Sequence, residues 1–322
     1  MLRRGTVCVA ALVALGLGAC GGDDDGGGSS EPPKEPVARC TPAPANAKSI
    51  TVKPKWKIGD RRTVTILKSR EDTDLDEPVL IEGSAQVQVI DTGSKGSSLR
   101  WQGGVESFPA GVVLLDAEDV SEVNEQVDPL RIEYATDSDG AIDQVGNLSS
   151  LRTQVSAILS ALAEASGEEQ IESFRRVAES DAFLQTAMIE DPTVLHFMYG
   201  IKAKRGETVE GEYELPNPFG GDPFPSTARY TLTTPRDRSG CAVFDVRIDA
   251  DDDAIPRILK HAVGQLAPGE SIDESDLDDL DLRHEMSFSY DPGSGWLARA
   301  ELKKIVTAAK RRRTDRTLIV TR

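Results

Sequence analysis

The side chains able to do acid–base, nucleophilic or metal chemistry are few and scattered. There are three histidines, His196, His261 and His284, and none has a second histidine or a cysteine at ligand spacing. His284-Glu285 lacks the second histidine of an HExxH helix, so no metal centre is expected. The GxSxG nucleophile elbow and the SxxK pair of penicillin-binding enzymes are both missing, as is a P-loop. No catalytic residue and no cofactor is therefore assigned from motifs.

Acidic residues are plentiful, and the chemistry they suggest is calcium binding. Asp137-Ser138-Asp139-Gly140-Ala141-Ile142-Asp143 has the alternating carboxylates of an EF-hand loop. In register, however, its first ligand would be Ala135 and its bidentate twelfth Gly146, so coordination fails. Asp72, Asp74 and Asp76 alternate in the same way, but Glu77 replaces the turn glycine and Gly83 the terminal glutamate. A denser set, Asp273, Glu274, Asp276, Asp278, Asp279 and Asp281, with Asp249 and Asp251 to Asp253, reads as a solvated acidic loop. Against this background Lys310, Arg311, Arg312, Arg313 and Arg316 stand out. They read as a charged turn at the end of a sheet rather than a docking patch for anionic headgroups. The formal net charge of −17 leaves no electrostatic footprint for nucleic acid.

The first twenty residues form a separate unit. Arg3 and Arg4 precede an apolar run, Val7 to Leu17, which ends at small residues before Cys20. That is the layout of an export signal, and the run is shorter than the roughly 20 residues that a membrane span needs. Leu17-Gly18-Ala19-Cys20 resembles the lipobox of bacterial lipoproteins. The resemblance implies cleavage after residue 19, lipid on the Cys20 thiol, and a folded domain held outside the cytoplasm on a bacterial membrane. The glycines 16, 18 and 21 that fit GxGxxG fall in this segment and are not a nucleotide fingerprint. Residues 21–36 (GGDDDGGGSSEPPKEP) contain no side chain able to pack and read as a tether, flexible at its Gly/Ser end and stiffer at its prolines.

Cysteine counting follows from this reading. Cys8 departs with the signal and Cys20 takes the lipid, which leaves Cys40 and Cys241. In an oxidising compartment the pair reads as one disulfide, the alternative being two free thiols. The expected division is residues 1–19 signal, 20–39 lipidated cysteine and tether, and 40–322 folded domain.

The elements that must position anything in that domain are mostly strands. Ile58-Gly59-Asp60 separates Ser49 to Lys57 from Arg62 to Lys68. Loops at 91–96 and 137–140 join Val79 to Ile90 with Ser97 to Trp101, and Leu130 to Thr136 with Ala141 to Val145. The period then changes: Leu148, Leu151, Val155, Ile158, Leu159 and Leu162 recur at three and four behind Asn147, a helix cap by type, and Gly167 ends the helix. Shorter helices are expected at 168–179 and 181–188, with Pro192 interrupting before Val194 to Tyr199. Strands resume at Glu207 to Leu215. The loop Pro216 to Ser226 carries Phe219 and Phe224, which would gate a cavity, meet a partner or tuck onto the domain. A hairpin (Arg229 to Thr234, Cys241 to Ile248), a helix near Ala254 to Leu266 and strands at Arg283 to Tyr290, from Trp296 and at Thr317 to Thr321 complete the chain. Residues 48–146 and 201–322 repeat an order of elements on either side of a helical block, 147–200.

This order of elements resembles uncharacterised bacterial lipoproteins of unknown function, on the strength of "KWKIGD", "YATDSDGAIDQVGN" and "FSYDPGSGWLARAEL". It is more loosely similar to half-barrel lipoprotein carriers, a likeness of fold alone. The expected fold is α+β: an extensive antiparallel sheet, curved and half-barrel-like, with the central helical block packed on one face. The expected function is non-enzymatic, a binding or carrier module for a lipid or other apolar ligand. The alternatives are an interaction module with a filled core, meeting an envelope protein partner, and an enzyme with an unrecognised carboxylate site.

Overall fold

The computed structural model describes residues 40, 49–73, 78–104, 123–166, 175, 178–186, 188–217, 222–233, 240–266, 280–308 and 311–322. Cys20, the tether, Phe219, Lys310 and most of the acidic loop at 269–281 lie outside these residues. In chain order the elements are β1 (Ser49–Thr51), β2 (Arg61–Asp72), β3 (Val79–Gly93), β4 (Gly96–Gly103), β5 (Leu130–Thr136) and β6 (Ile142–Val145). Three helices follow, α1 (Leu148–Ser166), α2 (Asp181–Thr186) and α3 (Glu190–His196). The rest comprises β7 (Lys202–Lys204), β8 (Thr208–Leu215), β9 (Phe224–Thr233), β10 (Ala242–Ala250), α4 (Ile255–Leu266), β11 (Asp281–Asp291), β12 (Trp296–Ala308) and β13 (Arg311–Thr321).

Eleven strands make one antiparallel sheet in the order β6-β5-β4-β3-β2-β13-β12-β11-β10-β9-β8, and β1 pairs with β7 in a small second ladder. The large sheet is two meanders joined at its centre, where the last strand returns to the first long one and Leu318 faces Leu67. Strands on either side of the centre alternate cleanly: in β5, Leu130, Ile132 and Tyr134 are buried between more accessible neighbours, as in β10 are Phe244, Val246 and Ile248. At the centre the alternation breaks. Leu67, Leu318 and Val320 are buried on the opposite face as a second, three-residue cluster.

Among the described residues the edge strands are β6 and β8, and the helices that connect them in sequence pack on the sheet between them. Laid flat, strands ten spacings apart would stand roughly 48 Å from one another. Residues of both edges nevertheless line the same cavity, so the sheet is curved, with the helices on its concave face. Helix α1 turns Leu151, Val155, Ile158 and Leu159 inward at the predicted spacing.

Two local expectations are corrected. The Asn147 side chain is spent on the sheet: its Oδ1 accepts from the Glu133 N–H at 2.8 Å and its Nδ2 donates to the Arg131 carbonyl at 2.9 Å. Gln154 of α1 accepts from the Arg131 N–H at 2.7 Å. Strand β6 is too short to cover β5, and these two amides satisfy the backbone that it leaves open. Pro192 does not interrupt a helix. It stands in the first turn of α3, where a backbone N–H has no intrahelical acceptor to lose.

The segment between β1 and β2 is held by aromatic side chains. Trp56 packs edge-on against His196 and Tyr199 and lies 5.1 Å from Trp296, centroid to centroid. The Tyr290 hydroxyl donates to the Lys53 carbonyl at 2.7 Å, and the Tyr199 hydroxyl donates to the Gly295 carbonyl at 2.7 Å. Cys40 and Cys241 are joined by a disulfide with Cα atoms 5.0 Å apart, fastening the chain before β1 to the start of β10.

Candidate functional site

Between the concave face and the helices is a cavity of about 730 Å³. Its apolar walls include Phe183 and Ile189 from the helical block, Leu215 and Phe224 from β8 and β9, and Met286 and Leu302 from the sheet floor. Exposed lining residues, Asp143 and Gln144 on β6, Gln185 on α2 and Pro216 after β8, mark the rim. Protein interiors contain few voids larger than a water molecule, whereas sites that enclose small ligands run from about 300 to 1,000 Å³. The space has the size of a ligand site and not of a packing defect.

The floor is not uniformly apolar. Strand pairing sets Arg70, Asp315, Lys304, His284 and Ile248 in one row across β2, β13, β12, β11 and β10. On either side lie apolar positions, Leu302 and Met286 in one direction and Val306 and Leu282 in the other. A stripe of ionisable groups thus crosses the centre of the sheet beneath α3 and gives way to aliphatic side chains toward β10.

Each charge in this stripe has a partner. Asp315 accepts from Arg70 Nε at 3.0 Å and from Arg313 Nε at 2.9 Å. Burial works to raise its pKa, but the two guanidiniums outweigh it and hold the carboxyl below its ordinary range. Helix α3 supplies the other two acids. Glu190 pairs with Lys304, and Asp191 Oδ2 lies 3.0 Å from Lys68 Nζ, with side chains 1% and 3% exposed. Burial pushes Asp191 up to about 6, and Lys68 offsets only part of it. Asp191 is turned to Lys68 and is not part of the cavity wall.

Both inner histidines are neutral. Burial lowers His284 to about 3, aided by the Lys304 ammonium beside it. Burial lowers His196 to about 4. The His196 tautomer follows from its partners: Nδ1 lies 2.9 Å from the Gly140 carbonyl, which can only accept, so Nε2 accepts from the Tyr134 hydroxyl at 3.0 Å. His196 is a buried support for the helix–sheet contact. His261 is exposed on α4.

The acidic and basic runs resolve into structure. One carboxylate oxygen of Asp137 accepts from the backbone N–H groups of Asp139, Gly140 and Ala141 at 2.8 to 3.0 Å, so it shapes a hairpin turn. Asp249 pairs with Arg229 and Arg247. Burial raises Asp252, with Asp281, Asp251, Asp253 and Asp249 adding to it. Among the described residues no three His, Cys, Asp or Glu side chains are grouped to hold a metal ion. Arg311 to Arg316 do not form a turn: they begin β13, where Arg311 and Arg312 are exposed while Arg313 is buried against Asp315.

Of the two phenylalanines assigned to a loop, Phe224 opens strand β9, 1% exposed and in the cavity wall. The sequence reading missed the floor of the site. Its signal was a polar residue at an inward position of an apolar alternation: His284 between Leu282 and Met286, and Lys304 between Leu302 and Val306. No helix among the described residues is long and apolar enough to cross a membrane.

No protein-family model matches the chain, and no curated protein matches it in sequence. Among solved structures it is similar to a lipovitellin described in terms of lipid–protein interactions, at 9% identity and a TM-score of 0.36 over 81% of this chain. The chain spans 25% of the length of that lipovitellin chain. It is also similar to the hypothetical lipoprotein YmcC from Escherichia coli (K12), at 9% identity and a TM-score of 0.23, over 83% of this chain and 88% of that one.

Proposed function

We propose that this protein is a non-enzymatic carrier or binding module for a lipid or other apolar ligand, anchored to a bacterial membrane through lipid on Cys20. The observation that carries the proposal is the cavity of about 730 Å³ between sheet and helices, lined largely by aliphatic and aromatic side chains. An interaction module with a filled core would close this space with its own side chains. A carboxylate enzyme would present a raised acid to its substrate; of the two acids raised here, Asp191 is 2% exposed and held against Lys68, and Asp252 is not part of the cavity wall. The Cys40–Cys241 disulfide supports an oxidising compartment, in keeping with export.

The test is native mass spectrometry and solvent extraction of the purified full-length chain, with titration by a neutral apolar dye such as Nile red. Co-purifying lipid or saturable dye uptake is the expected result. A clean apo mass together with no dye uptake overturns the carrier reading.

A further inference from the structure

The polar stripe in the cavity floor bears on what kind of apolar ligand fits, an inference that rests on the carrier reading. His284 and Thr317 line the cavity and make no side-chain hydrogen bond to a described residue. Lys304, on the strand between theirs, also lines it, and among the described residues its ammonium is paired with one carboxylate, Glu190, which leaves donor capacity unused. These three groups sit on adjacent strands, with His284 opposite Lys304 and Thr317 opposite Leu302. A purely hydrocarbon ligand would cover these polar groups without bonding them, and polar groups buried without partners are costly.

The stripe is therefore built for a ligand that brings a hydrogen-bond acceptor to the centre of the sheet. His284 is neutral, so it offers one N–H and one lone pair, and the Lys304 ammonium offers further N–H groups. Along the same row toward β10 the next side chain is Ile248; on the strands beyond it, four register positions along from Ala228 and Gly211, Phe224 and Leu215 continue the apolar wall. Polarity thus falls in one direction along the floor, as it does along an acyl chain away from its carboxyl group.

We propose that the cavity takes acyl lipids, with the acyl carbonyl oxygen accepting from His284 and Lys304 at the centre of the sheet and the chain lying toward β9 and β10. The shared chemistry is the acyl carbonyl, which a free fatty acid and an esterified lipid both supply.

Displacement of Nile red from the full-length protein by palmitic acid, methyl palmitate and hexadecane tests this. At least one of the two carbonyl ligands should bind about tenfold or more tightly than hexadecane. The tighter of the two identifies free or esterified lipid as the source. His284→Phe, which keeps a ring and removes both nitrogens, and Thr317→Val should each shrink that advantage, with hexadecane binding the variants at least as tightly as the wild type because it no longer covers an unbonded polar group. Hexadecane binding no weaker than that of the wild type also certifies that the variant is folded. Hexadecane binding as tightly as both carbonyl ligands, or an advantage intact in both variants, overturns the headgroup assignment and leaves the carrier reading standing. Absence of dye uptake by the wild type overturns both.

Discussion

Lys68 Nζ lies 3.0 Å from Asp191 Oδ2, with both side chains buried, so a strand at the centre of the sheet is tied by an ion pair to the first turn of α3. The same turn carries Glu190 to Lys304. Two ionic contacts thus hold the roof of the cavity to its floor. Breaking one partner of such a pair strands a buried charge and costs about 3 to 5 kcal/mol, whereas removing both and filling the space is nearly neutral. Lys68→Met is expected to lose stability in that range, and Lys68→Met with Asp191→Leu to recover most of it. Urea denaturation of the three proteins measures the difference.

Stability should fall on mild acidification, and the sign comes from the histidines. His284 and His196 are lowered in the fold to about 3 and about 4 from an ordinary value of 6.5. Between those limits the unfolded chain binds more protons, so stability is lost as pH drops below about 6.5. Asp191 works the other way. Raised from 3.8 to about 6, it binds its proton more tightly when folded and makes stability fall as pH rises through that window. Asp252, raised in the same sense, is exposed and adds little, so the two buried histidines set the sign. Asp191→Asn should therefore steepen the acid loss, and His284→Phe should flatten it, in thermal unfolding followed from pH 7 to pH 4.5.

The Cys40–Cys241 disulfide closes a separation of 201 residues. In the chain-entropy model a loop of that length is worth about 5 kcal/mol. Reduction, or the pair of changes Cys40→Ala and Cys241→Ala, should lower the urea midpoint by a corresponding amount while leaving Nile red uptake in place. Equal midpoints for oxidised and reduced protein would show that the bridge does not constrain the unfolded chain.

Gly295 has φ +73°, and a Cβ there would lie 2.8 Å from Lys55 Cβ and 3.0 Å from the Lys53 carbonyl oxygen, closer still to the Lys55 nitrogen. The left-handed backbone alone costs a non-glycine residue about 1 to 2 kcal/mol. Gly295→Ala should exceed that, because the segment that would have to move is pinned by Tyr290 and Trp56. Gly59 is the control: its φ is +86° but nothing lies within 4 Å of its missing Cβ. Gly59→Ala should therefore cost the backbone term only, and comparing the two variants' melting temperatures separates strain from clash.

Local pattern made much of the fold legible. Alternation with glycine-bearing turns placed the hairpins of β3 to β6 and of β9 with β10, because a strand half-buried on a sheet repeats every two residues whatever its neighbours are. The same holds for α1, whose apolar spacing of three and four states a buried stripe directly. The strand from Arg311 was hidden by its run of cations, which reads as solvated until β2 and Asp315 are set beside it.

By itself the sequence determined an α+β fold of antiparallel hairpins around a central helical block, and the exclusion of the familiar catalytic and zinc motifs. It also left Cys40 and Cys241 as a pair once Cys20 was assigned to the lipid. These are properties of periods, turn residues and counts, which need no partner to be read. Only the tertiary structure decided that the two meanders join through β2 and β13, residues some 250 positions apart, and that the edge strands β6 and β8 both reach one cavity. It alone gathered Lys68, Arg70, His284, Lys304 and Asp315 beneath Glu190 and Asp191. No local pattern encodes such a stripe, because its charged members find their partners on segments that the chain brings from elsewhere.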